Sequence, residues 1–130
     1  MTTRNMEAAS RRYANALVVK VSGRLDQDTC EAWRAELMGY VADAAATPGG
    51  TVVLDLSGLE YVSSAGLRCF MLASREARAK NARIVVAALQ PMVTEIFTIS
   101  HFNLVFQVFP SVREALATVS AEAATAFEKG

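Results

Sequence analysis

Two short runs constrain this chain more than any other feature: TVVLDL at 51–56 and RIVVAAL at 83–89 are aliphatic or β-branched almost throughout. A strand with one face in water alternates apolar and polar side chains, whereas a strand covered on both faces has no need to. Segments with helical spacing of apolar residues lie on either side of each run. Covered strands separated by helices define a mostly parallel α/β sheet with right-handed crossovers.

The flanking segments complete the order of elements. MEAASRRYANALVVKVS, from residue 6 to residue 22, holds two β-compatible pieces on either side of Tyr13-Ala14-Asn15, which predicts a hairpin whose second strand, 16–21, stops at the turn signal Ser22-Gly23. Asp28 followed by Glu31 has the form of a capping box. It opens a helix from about 29 to 46 with Trp33, Leu37, Tyr40, Val41 and Ala44 at helical spacing, and TPGG ends it. Ser57-Gly58 breaks the TVVLDL strand, and a second helix runs from the Ser63-Ser64 pair to about 81. Pro91 suits the first turn of a short helix over 92–100, residues 105–109 make the last strand, and Ser111 with Glu114 repeats the capping-box pattern before a C-terminal helix. The order β-β-α-β-α-β-α-β-α predicts a mixed, mostly parallel sheet of about five strands with four helices. All 130 residues are read as one domain with a core over about 6–119; the alanine-rich AEAATAFEKG either extends the last helix or frays.

Composition narrows the function. Apolar residues make up 52% of the chain, so a disordered chain is not expected. Thirteen basic and thirteen acidic side chains cancel and form no block of one sign, so a phosphate-neutralising surface for nucleic acid is not indicated. MTTRNMEAAS has no apolar signal core, and no run approaches the roughly 18 apolar residues of a membrane span, so a cytoplasmic protein with no membrane partner is expected. Cys30 and Cys69 form no CxxC and, with one histidine, make no zinc site; they read as free, buried or half-buried thiols.

The stretch LEYVSSAGLRCF at 59–70 carries the main functional question. A serine before a helical run is an ordinary helix start, its oxygen accepting from the free N–H groups of the first turn. The other reading holds a serine there to receive a phosphate. The remaining candidates for chemistry are weaker. His101 in SHFNL has no informative partner and reads as a capping or packing residue. Asp26 and Asp55 each follow or end a predicted strand, but two aspartates alone do not specify a metal. Gly58 and Gly66 belong to no phosphate-cradling glycine motif. Phe97, Phe102, Phe106 and Phe109, like Trp33, read as core and edge packing. On the second helix Leu67, Phe70, Met71, Ala73 and Ala77 fall on a core face, while Arg68, Leu72, Arg75 and Ala79 line another beside the serines. This inventory describes an interaction domain rather than an enzyme, and no cofactor or metal is expected.

VSGRLDQDT, VVLDLSGLEYVSSAGLRCF and RIVVAALQPMVTEIFTISHFNLVFQVFPSVREAL together resemble the STAS domain of anti-sigma factor antagonists over about residues 6–119. The best marks are GRLD at 23–26, DLSGLEYVSSAGL, and the late I-x-x-x-F-x-V-F run. In that family the phosphorylated serine stands in a pattern close to D-S-S-G-L. The resemblance puts Ser64 at the acceptor and Gly66-Leu67 at the Gly-Leu, with Ala65 in place of the second serine and Ser63 in place of the aspartate. Ser63 is the second candidate acceptor. The resemblance further implies that Asp26 and Asp55 border the acceptor. Asp26, Asp55, Ser63, Ser64 and Gly66 are expected to meet a partner, and from helical spacing the face with Leu72 between Arg68 and Arg75, beside the serines, is expected to extend that surface. The implied function is partner switching: the unphosphorylated chain binds an anti-sigma factor with serine kinase activity, phosphorylation ends the complex, and a metal-dependent serine phosphatase restores it. The alternative is a STAS subunit of a larger assembly, stressosome-like or beside a lipid-transport ATPase, in which Ser64 is a helix cap.

Overall fold

The computed structural model describes residues 6–130. Strand β1 (Met6–Tyr13) turns at Ala14-Asn15 into β2 (Ala16–Leu25), and helix α1 (Cys30–Ala45) leads to β3 (Thr51–Val62). Then come α2 (Ser64–Ala79), β4 (Arg83–Ala87), α3 (Pro91–Ile99), a 3-10 turn (Phe102–Leu104), β5 (Val108–Phe109), α4 (Val112–Val119) and α5 (Ala121–Lys129). The five strands lie in the order β1-β2-β3-β4-β5. β1 pairs antiparallel with β2 through the hairpin, and every later pair is parallel.

Both faces of the sheet are covered, which is why the central strands lack polar alternation. On one face Val19, Val21 and Leu25 of β2, Leu54, Leu56, Leu59 and Val62 of β3 and Val86 of β4 pack against Trp33, Leu37 and Val41 of α1, Phe70 and Ala73 of α2, and Phe97 of α3. Phe70 stands at the centre of this layer, with Trp33, Phe97 and Phe106 in edge contact at ring separations of 6.3, 6.1 and 6.2 Å. Each ring buried there contributes about 1.5–3 kcal/mol of transfer free energy. The Trp33 indole N–H is buried without a hydrogen-bond partner among the described residues. On the other face Val18, Val53, Val85 and Ala87 meet Ala115 and Leu116 of α4 and Ala123 of α5.

The structure departs from the sequence reading where local turn signals were outweighed by sheet pairing. β2 does not stop at Ser22-Gly23, and β3 does not stop at Ser57-Gly58; both continue for several residues. The apolar spacing in β3 changes from two to three after Leu56 and again after Leu59. Two register shifts opposite β2, between Lys20 and Ser22 and between Gly23 and Arg24, absorb the extra residues and return Leu59 and Val62 to the core. Gly58 makes the first bulge possible, because a Cβ there would collide with the Ser22 side chain. β5 is only two residues long, since Val105 still belongs to the 3-10 turn region and not to a strand.

Among the described residues five α-helices form rather than four. Ser120 takes an extended conformation (φ −163°, ψ 113°), ends α4 and caps α5 by accepting the Ala123 N–H at 3.2 Å. Its hydroxyl also donates to Asn15 Oδ1 at 2.7 Å, and Phe127 meets Tyr13 edge-on at 5.2 Å. The alanine-rich tail thus neither frays nor extends α4; it packs on the β1–β2 hairpin. Ser111 caps α4 as the sequence suggested, accepting the Glu114 N–H at 3.2 Å. The Asp28–Glu31 box does not form. Asp26 takes that place: its carboxylate accepts the N–H groups of Asp28 and Thr29 at 3.0 and 3.2 Å before α1 begins. His101 neither caps with its side chain nor packs. It is exposed at φ 61°, in the left-handed region, between α3 and the 3-10 turn.

Candidate functional site

The C-terminal ends of β2 and β3 bring the starts of α1 and α2 to the same end of the sheet. The link is direct: the Ser63 N–H donates to Leu25 O at 2.8 Å, so the residue before α2 is tied to the last residue of β2. Ser63 is extended (φ −88°, ψ 175°) and is the N-cap of α2, its Oγ accepting the Gly66 N–H at 3.2 Å and its carbonyl accepting the Leu67 N–H at 2.9 Å. The two serines therefore divide the work. Ser63 satisfies the helix end, and Ser64, the first residue of α2, is exposed with its hydroxyl in no hydrogen bond among the described residues.

The Ser64 and Ala65 N–H groups are among those an α-helix leaves without an internal acceptor, and the helix dipole adds partial positive charge at this end. An anion attached to Ser64 would meet both. Asp26 stands one residue past Leu25, half-buried, with its carboxylate engaged at the start of α1 and its N–H donating to Thr29 Oγ1 at 2.9 Å. A groove of about 670 Å³ runs between the two helices, lined by Gln27, Cys30, Glu31 and Arg34 on one side and Ala65, Arg68, Cys69 and Leu72 on the other. Under it Cys69 Sγ donates to Cys30 O at 3.4 Å. Burial, and the Cys30 thiol beside it, push Cys69 up to about 11, so it remains a protonated thiol at neutral pH.

Asp26, next to Leu25, lies at the same end of the sheet as Ser63 and Ser64, and Arg68 and Leu72 follow along α2 where they line the groove; the other expected contact residues do not join this surface. Asp55 is the clearest correction. It pairs with Lys20 and Ala87 in mid-strand and lines a different cavity with Tyr13, Val18, Lys20, Val112 and Phe127. Six residues of β3 lie between it and Val62, about 20 Å at strand spacing, so it does not border Ser64. Gly66 is buried, and a Cβ there would lie 2.8 Å from Leu25 Cγ and from Val62 Cγ2; its small size serves packing and offers nothing to a partner's surface. Arg75 is exposed but lines a separate groove with Met71, Ser74, Leu104 and Val105. Gln27 and Arg34 were not singled out from sequence, and Glu31 only as a capping partner; their spacing at the start of α1 becomes informative only once both helices are known to start together.

Comparison with known proteins agrees with this architecture. The family model described as "Mlab, STAS domain" matches residues 8–107. A protein of Bordetella bronchiseptica (strain RB50) named BtrV, an anti-sigma factor antagonist by that name, is 38% identical over 101 residues, covering 78% of this chain and 83% of its own. The crystal structure of an anti-sigma factor antagonist from Mycobacterium paratuberculosis superposes with a TM-score of 0.74 at 23% identity, over 88% of this chain and 93% of that one. The Bacillus cell fate determinant SpoIIAA, known in its phosphorylated form, superposes at 0.63 with 19% identity over 88% of this chain and 100% of its own. Its unphosphorylated form gives 0.69 at 19% identity over 87% and 96%. The chain belongs to the STAS-domain family of anti-sigma factor antagonists. No helix among the described residues is long and apolar enough to cross a membrane.

Proposed function

We propose that this protein works by binding, as an anti-sigma factor antagonist in a partner-switching cycle, and that Ser64 is its switch. The observation that carries the reading is the division of labour at α2: Ser63 makes the cap, so the exposed Ser64 hydroxyl is spare. In the unphosphorylated state the end of the fold that presents Asp26, Ser63, Ser64, Arg68 and Leu72 docks on a kinase-type anti-sigma factor, with Glu31 and Arg34 across the groove. The kinase transfers a phosphoryl group from ATP: the Ser64 Oγ–P bond forms, the bond to the ADP oxygen breaks, and the hydroxyl proton passes to a base of the kinase. Ser64 is then a substrate, and the protein itself catalyses nothing. A metal-dependent serine phosphatase returns the hydroxyl by hydrolysis.

The phosphate is tolerated by the fold because it faces the free N–H groups of α2. It is not tolerated by a covering partner, which would have to desolvate about two negative charges. A difference of about 3 kcal/mol lowers affinity more than a hundredfold. That SpoIIAA, of the same fold, exists in both phosphorylated and unphosphorylated forms supports the reading.

Calorimetric titration of the organism's kinase-type anti-sigma factor with the wild-type chain, Ser64→Ala and Ser64→Asp tests it. Binding retained by the alanine variant and weakened at least tenfold by the aspartate variant is expected; equal affinities for all three contradict the switch. A second reading, a STAS subunit of a larger assembly with no phosphoswitch, draws support from the family model's Mlab description and from Ser63 and Ala65, which depart from the D-S-S-G-L pattern. Equal affinities would favour it.

A further inference from the structure

A second surface lies at the far end of α2. Leu104, 79% exposed, Val105 and Val108 are large apolar side chains left in water by the 3-10 turn and β5, although their chain neighbours Phe102 and Phe106 are buried. Single exposed apolar residues are ordinary. These three are contiguous and line one groove of about 530 Å³, with Ala77, Ile84 and Phe106 among its apolar lining. A further cavity of about 320 Å³ shares Ser74, Arg78, Leu104 and Val105 with it and adds Met71 and Arg75.

The rim of this surface is of one sign. Arg75 and Arg78 come from α2 and Arg83 from the start of β4, and no Asp or Glu lines either part of the groove. Arg83 is held in place by a hydrogen bond to Gln107 Oε1, which carries no charge to offset its own. None of the three arginines is ion-paired among the described residues; the neighbouring Lys80–Glu76 pair joins α2 to its own C-cap residue. An apolar trough edged by uncompensated guanidinium groups is complementary to a segment with apolar side chains on one face and carboxylates beside them.

We infer that the groove between the C-terminal half of α2 and the 3-10 turn with β5 is a docking site for an acidic amphipathic helix of a partner protein. Leu104, Val105 and Val108 would take apolar anchors at i, i+3 or i+4 spacing, and Arg75, Arg78 and Arg83 would take the flanking carboxylates. The site is separate from the switch: Arg78 lies about 20 Å beyond Ser64 along α2 at 1.5 Å per residue, more than twice the Debye length of about 8 Å at physiological salt. The inference does not depend on Ser64 being phosphorylated, and a partner held here stays bound when the other end of the fold is released.

The test is selection of a random 16-residue peptide library displayed on phage against the full-length chain. Counter-selection uses Leu104→Ser and Arg78→Glu, two exposed positions whose variants are checked for native circular dichroism. The expected consensus combines Asp or Glu with leucine-sized residues at helical spacing. Its synthetic peptide should lose about tenfold or more in affinity to either variant, weaken severalfold between 50 and 300 mM NaCl, and bind Ser64→Glu within about twofold of the wild type. A neutral or basic consensus, or peptides that bind both variants as well as the wild type, overturns the inference. So does concentration-dependent self-association of the wild-type chain that Leu104→Ser abolishes, because the occupant is then a second copy.

Discussion

The Oγ of Ser63 accepts the Gly66 N–H at 3.2 Å, and this one bond separates the structural serine of the pair from the exposed one. Ser63→Ala removes the cap and should lower stability by about 1 kcal/mol, a fall of several degrees in melting temperature for a chain of this size. Ser64→Ala removes a hydroxyl in no hydrogen bond among the described residues and should stay within about 0.5 kcal/mol of the wild type. Thermal unfolding of the two variants side by side checks the assignment; the reverse order would make Ser64 the cap.

Gly66→Ala sets helix propensity against packing. Alanine is favoured over glycine inside a helix by about 1 kcal/mol. The new methyl, however, would sit 2.8 Å from both Leu25 Cγ and Val62 Cγ2 and 3.0 Å from Leu25 O, between the ends of two strands that cannot separate freely. Overpacking of this kind costs about 1–3 kcal/mol, so the net effect is destabilising. A lower urea midpoint with an unchanged slope is the expected result.

How far the sequence led can be judged from β3. Its covered, apolar first half was legible, and so were the parallel sheet and the helix start at the serines. Its second half was not, because Ser57-Gly58 reads locally as a turn, and only the pairing with β2 reveals it as a bulge. That error moved a site residue: with the strand ended at Leu56, Asp55 falls at the sheet's functional end, whereas the real strand carries the chain six residues further to Val62. Asp26 follows Leu25, whose carbonyl accepts the Ser63 N–H, but its carboxylate caps the approach to α1, a task the spacing assigned to Asp28 and Glu31. The break at Ser120 was hidden for a related reason. Alanine-rich sequence on both sides favours one helix, and the bond to Asn15 and the contact of Phe127 with Tyr13 are long-range.

The thiols under the site give a pH prediction. The ordinary value for Cys69 is 9.0, and burial with the Cys30 thiol alongside raises it to about 11 in the folded chain. Above pH 9 the unfolded chain has therefore released a proton that the folded chain still holds. Stability from this group is complete below pH 9 and is lost as pH rises toward 11, by an amount on the order of 2 kcal/mol. Urea unfolding at intervals across that window should show a steeper decline for the wild type than for Cys69→Ser, which does not titrate there. Parallel declines would place the loss elsewhere.

The partner-switching reading rests on the exposed serine at the start of α2 receiving the phosphate. Its most direct measurement is intact mass and peptide mapping of the chain after incubation with the organism's kinase-type anti-sigma factor and ATP, with Ser63→Ala and Ser64→Ala in parallel. A single phosphate mapped to Ser64 is expected, present in Ser63→Ala, absent in Ser64→Ala, and accompanied by release from the kinase. A chain that stays unmodified while bound, or a phosphate mapped to Ser63, would contradict it.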